Sequence, residues 1–208
     1  MNAPRRTQDE RREATRDALL GAAVALLAER GVAAATLADV AERAGVSKGA
    51  LTHHFDAKDA LLDAALERVG AALAAALTAA WDPTVAPFPR LRAAIAGAVG
   101  LAASHPAELR VFAALAGEGT RDPRLGALAR RHLDALEATF AQGLTFTLDE
   151  LGVRARFAPE AAARALVAAA LGEALRPGEA AGDTADFIHA VISTGFVLTR
   201  TSRVTEAR

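Results

Sequence analysis

"TLADVAERAGVSKGALTHHF", residues Thr36–Phe55, packs two helix starts and one glycine turn into a single short stretch. Thr36 followed three positions later by Asp39 is a capping-box arrangement. Leu37, Val40, Ala41 and Ala44 then make the inner face of one helix. Gly45 breaks it and allows the backbone twist of a tight turn. Ser47 caps the next helix, which runs to about His54, and Val46, Leu51 and Phe55 share a small core with Val40. Ala41 falls where the two helices cross, and a larger side chain there would push them apart. A small residue, a glycine four positions on and a leucine six further is helix-turn-helix spacing.

On a wheel drawn from Ser47, Leu51 and Phe55 share the buried side, and Lys48, Gly49, Thr52 and His53 lie along the other. That outward face is short, polar and nearly flat, narrow enough for a major groove. Gly49 leaves room for a base or phosphate, and His54 lies at the edge, where a ring N–H can meet a phosphate. An ordinary αα-hairpin with a solvated face is the alternative the pattern leaves open. His53 and His54 are adjacent and do not share a face, which argues against a metal-binding pair.

The rest of the chain reads as all-α. Of its 208 residues 52% are hydrophobic, many of them alanine, the best helix former. Aromatics are 4% and tyrosine is absent, so alternating strand patterns are scarce. A first helix covers "EATRDALLGAAVALLAERG", stopped at Gly31. Asp56 caps a fourth helix from Ala57 to about Trp81, and "WDPTVAPFP" reads as a linker. Further helices are expected over Pro89–Ser104, Pro106–Gly117, Pro123–Leu151, Pro159–Leu175 and Ala185–Thr201. No uncharged apolar run is long enough to cross a membrane, no signal peptide is visible, and without cysteine there is no disulfide or thiol chemistry. These features fit a cytoplasmic protein.

The formal net charge is −1, and residues 1–60 carry nine Lys/Arg against nine Asp/Glu. Charge is uneven within that segment. Arg5, Arg6, Arg11, Arg12 and Arg16 outnumber Asp9, Glu10 and Glu13 over residues 1–16. Overall charge therefore neither supports nor excludes a nucleic-acid partner, and only local placement decides.

"ATLADVAERAGVSKGALTHHFDAKDALL" closely resembles the DNA-binding domain of the TetR family of bacterial transcriptional regulators, over roughly residues 12–66. The resemblance implies an all-α homodimer without cofactor. A three-helix DNA-binding domain (1–56) would be followed by a larger helical ligand-binding and dimerisation domain (57–208), with 57–81 as linking helix. It implies a palindromic double-stranded operator as partner and repression by steric block as the common mode. Thr36 matches a position that caps the second helix and touches the DNA backbone. Ser47, Lys48 and Gly49 match the start of the recognition helix at the groove. His53 matches a groove or phosphate contact, His54 a phosphate contact and Lys58 a backbone contact at a helix N-terminus. Thr52 stands where the family usually has tyrosine, which weakens the contact carried over to it.

The second half resembles the family only in layout. Its stretch from Ser104 to Leu144 faintly resembles the branch that includes the betaine-synthesis repressor. Phe88, His105, Leu109, Phe112, Leu136, Phe140 and Leu144 are pocket candidates, each with core packing as its plain alternative. His105 precedes Pro106 and can simply cap a helix, and His132 beside Arg131 is expected on a solvated face. Few aromatics argue against a cage for a quaternary cation, so a small, mainly aliphatic apolar ligand is expected. The last helix, "DFIHAVISTGFVLT", is apolar almost all round, which asks for cover on two sides. With the preceding helix it would form a four-helix bundle across a two-fold axis. Leu166, Ala169, Gly172, Val191, Gly195 and Phe196 are its contact candidates. An enzyme would need inward carboxylate pairs, a metal set or an activated nucleophile; no HExxH, Glu-x-x-His pair or cysteine is present. A purely structural bundle would have no use for the outward polar face.

Overall fold

A computed structural model describes residues 7–155, 157–175 and 199–200. Among the described residues eight helices follow in order: α1 Gln8–Ala34, α2 Leu37–Arg43, α3 Lys48–His54, α4 Lys58–Ala79, α5 Pro87–Ser104, α6 Pro106–Glu118, α7 Pro123–Leu151 and α8 Pro159–Ala174. The only strands among the described residues are Val153–Arg154 (β1) and Thr199–Arg200 (β2), which pair antiparallel. Thr199 and Arg200 therefore do not continue the last helix expected over Ala185–Thr201, whose other residues lie outside the described ones. No helix among the described residues is long and apolar enough to cross a membrane.

Two compact units form. One takes residues up to Ala71 together with Arg110–His132; the other takes Ala72–Leu109 and the chain from Leu133 on. Helices α4, α6 and α7 each contribute residues to both units.

The first unit carries the helix-turn-helix. Leu19, Ala23, Leu26 and Leu27 of α1 are buried with Val40, Ala41, Leu51 and Phe55. Helix α1 begins with a capping box of Thr7 and Glu10 and bends at Gly31, whose φ of 74° is left-handed. The expected stop at Gly31 is thus a kink, with a last turn reaching Ala34. Lys58 at the head of α4 donates its Nζ proton to the Val32 carbonyl at 2.7 Å, just past that kink. Arg43 of α2 pairs with Glu29 of α1 at 2.7 Å, holding the Glu29 carboxyl below its ordinary pKa. On the other side of α1, Asp17 pairs with Arg68 of α4 at 2.8 Å.

In the second unit α5 packs along α8. Leu91, Ala94, Ile95 and Ala98 of α5 are buried, as are Ala163, Leu166, Val167 and Ala170 of α8. The spacing of both sets is helical, one stripe on each helix.

Candidate nucleic-acid interface

Two caps fix where α2 and α3 begin. The Thr36 hydroxyl accepts from the Asp39 N–H at 3.2 Å and donates to Asp39 Oδ2 at 2.6 Å. The Thr36 N–H donates to the same carboxylate oxygen at 3.1 Å, completing the capping box. The Thr36 hydroxyl, then its N–H, hold the Asp39 carboxyl below the ordinary range. Ser47 Oγ accepts from the Ala50 N–H at 3.1 Å and starts α3. Between the caps, Gly45 adopts φ 68° and Val46 N–H closes the turn onto the Ala41 carbonyl at 3.0 Å. Only glycine takes that conformation without strain.

The turn sets the facing of α3. Leu51 and Phe55 are buried, while Lys48, Gly49, Thr52 and His53 are exposed. The Thr52 hydroxyl donates back to the Lys48 and Gly49 carbonyls at 3.2 and 3.0 Å, so its methyl is the freer end of the side chain. A Cβ on Gly49 would meet nothing nearer than Ser47 Oγ at 3.9 Å, so the α3 surface is open there. His53 and His54 meet edge to face with centroids 5.8 Å apart. Partial burial, then the charges of His53, Arg12 and Arg16, push the His54 pKa down.

The N-terminal turns of α1 join this face. Gln8, Asp9, Arg11, Arg12 and Thr15 line an open groove of about 370 Å³ with His53 and His54. Arg16 stacks on the Phe55 ring at 4.8 Å, which anchors the α1 arginines beside α3. Arg11 and Arg12 are candidates the motif reading did not single out. Their signal was the arginine surplus over residues 1–16. Local basic placement on a neutral segment is what an electrostatic footprint requires.

The other candidates spread further. Phe112 is fully buried in the first unit, its ring 6.5 Å from that of His132. His132, expected on a solvated face, has a side chain only 15% exposed, 3.7 Å from Asp63. In the second unit Leu109, Leu136, Phe140 and Leu144 are buried, and His105 is the C-cap of α5. Phe88 is 59% exposed, because it lies in the first turn of α5 beside the proline linker. Leu166 is 2% exposed and used inside its own unit, whereas Gly172 is exposed with no atom within 4 Å of a built Cβ. Val191, Gly195 and Phe196 lie outside the described residues.

The family model for bacterial regulatory proteins of the tetR family matches residues 19–65. The HTH-type transcriptional regulator BetI of Burkholderia mallei is 34% identical over 147 residues, 69% of this chain and 74% of that one. The regulator CymR of Pseudomonas putida is 48% identical over 67 residues, 32% of this chain and only 33% of its own length. A crystal structure of a transcriptional regulator from Rhodococcus sp. Rha1 superposes with a TM-score of 0.66 at 28% identity, covering 86% of this chain and 96% of that one. With a turn glycine, two caps and an outward polar helix face inside the matched segment, the chain belongs to the tetR family of bacterial regulatory proteins, DNA-binding transcriptional regulators rather than enzymes.

Proposed function

We propose that this regulator is a cytoplasmic repressor that binds a palindromic operator as a homodimer and is released from it by a small molecule. The observation that carries the reading is the face of α3, where Lys48, Gly49, Thr52 and His53 stand exposed while Leu51 and Phe55 are buried. Lys48, Gly49 and Thr52 read base edges, and Ser47 fixes the helix end that delivers them. Thr36, His53, His54, Lys58 and the α1 arginines Arg11 and Arg12 grip phosphates. Phosphate contacts set position and base contacts set sequence preference.

A two-fold dimer meets two half-sites about 34–36 Å apart, one turn of DNA. Ala169 and Gly172 of α8, with Val191, Gly195 and Phe196 further on, are the proposed dimer surface. Steric block of polymerase at such a site is repression. Helix α4 starts beside α3 and runs into the second unit. A ligand held among Leu109, Leu136, Phe140 and Leu144 shifts α4, and the spacing of the two α3 helices shifts with it.

A gel shift with the DNA upstream of the chain's own coding sequence tests this. A discrete complex that survives excess random duplex is the expected result. A chain that retards all DNA equally, or none, would remove the reading.

A further inference from the structure

The second unit holds a row of buried polar groups that the fold leaves without partners. Arg90 on α5 is only 1% exposed; its Nη2 binds Glu150 of α7, and its Nε and Nη1 meet no acceptor. The Thr147 hydroxyl, fully buried on α7, has no partner either. Thr139 and Thr145 on the same helix donate to the carbonyl four residues back, both at 2.9 Å, so Thr147 is the exception. The indole Nε1 of Trp81 is the fourth orphan. It lies against α7 at Gly143, where a built Cβ would approach it to 2.7 Å, and its ring meets Phe140 edge to face at 5.3 Å.

Gly143, Thr147 and Glu150 recur at helical spacing and so share one side of α7. Seven residues of helix rise about 10 Å, which sets the distance from the Trp81 end of this row to the Arg90 end. Folded chains rarely leave buried donors unmet, and several in one row call for an acceptor supplied from outside. Three of the orphaned atoms can only donate. The cation among them selects an anion, and a planar guanidinium matches a carboxylate best.

We propose that the second unit binds an organic acid with an apolar body, its carboxylate on Arg90 and Thr147 and its body towards Phe140 and Trp81. This rests on the reading of the chain as a ligand-released regulator and narrows the ligand from an apolar molecule to an amphipathic carboxylate. Glu150 is the stand-in for that carboxylate. Its side chain is 39% exposed, so it neutralises Arg90 until the ligand's carboxylate replaces it and then turns to water. The Phe146 ring, 58% exposed, has its centroid 5.6 Å from the Arg90 guanidinium.

Trp81 is the only tryptophan and the chain has no tyrosine, so its emission reports on this site in the full-length protein. Hexanoate, octanoate, decanoate and dodecanoate are titrated in turn, each beside its primary alcohol, with no DNA present. At least one acid changes Trp81 emission saturably and binds roughly tenfold more tightly than its alcohol, the size of one lost charge-assisted hydrogen bond. Thr147→Val weakens the acid several-fold and leaves the alcohol unchanged. Glu150→Gln tightens acid binding while lowering the melting temperature, a pair of opposite changes that a purely structural role does not produce. Equal affinity for acid and alcohol, no saturable acid, or acid binding indifferent to both variants overturns the proposal, water alone then satisfying these groups. Because no DNA enters the titration, its failure leaves operator binding untouched, and failure of operator binding leaves the titration to stand or fall alone.

Discussion

Replacing Lys58 with alanine separates two tasks carried by one ammonium group. Its Nζ donates to the Val32 carbonyl at 2.7 Å in a part-buried setting, one residue past the Gly31 kink of α1. A hydrogen bond to a charged group is worth about 1.5–3 kcal/mol when buried, and partial exposure places this one near the lower end, about 1.5 kcal/mol. In a chain of this size each kcal/mol moves the melting temperature about 2–4 °C, so Lys58→Ala melts about 3–6 °C below wild type. The same ammonium has further N–H groups to offer a phosphate. Its loss therefore lowers the slope of log affinity against log salt by about 1 per protomer, equally on specific and random DNA. Circular-dichroism melting gives the first quantity and fluorescence anisotropy over a salt series the second. Lys58→Met, which keeps the apolar stem, shows both losses if the charge is responsible. A melting temperature equal to wild type would refute the structural half of the reasoning. An unchanged salt slope would show that the ammonium is consumed by Val32.

Gly45→Ala introduces a side chain at φ 68°, where a built Cβ meets no atom within 4 Å, so backbone strain alone lowers stability, by about 1–2 kcal/mol in urea unfolding. Lys48→Ala and Thr52→Ala change which operator bases are preferred by about 1–3 kcal/mol per contact, read by competition with single-base operator variants; equal effects on random duplex would deny them a base-reading role. His54 has a lowered pKa, chiefly from burial, so the free protein favours neutral imidazole and a phosphate beside the ring favours proton uptake. Operator affinity accordingly rises as pH falls from about 7.5 towards 6, and His54→Gln flattens the profile. The same shift makes folding stability fall as pH drops through the unfolded-state value of about 6.5, since the unfolded chain protonates first.

Local signals in the sequence carried the helix-turn-helix because its parts are local. The Thr36–Asp39 box, the Gly45 turn and the Ser47 cap each act within four residues, and each is present in the structure. Prolines marked α5 to α8 for the same reason, a fixed φ at a helix start. What stayed hidden depends on partners far along the chain. The Lys58 bond to Val32 spans 26 residues and the Arg90 pair with Glu150 spans 60, and no periodicity announces either. Nothing local in "FPRLRAA" marks Arg90 as buried; its partner Glu150 lies on α7. Phe88 reads as a pocket candidate, with core packing as the alternative, yet its place in the first turn of α5 leaves it exposed. His132 reads as solvated by its arginine neighbours, yet its ring packs on Phe112.

The central claim is that the exposed face of α3 reads a specific DNA sequence. Its most direct test is anisotropy at one fixed physiological salt concentration, comparing a footprinted duplex from the chain's own upstream region with a scrambled duplex of equal length and composition. A sequence-reading dimer binds the first at least about 10³-fold more tightly than the second. A ratio near one, with Lys48→Ala weakening both duplexes alike, would contradict the account.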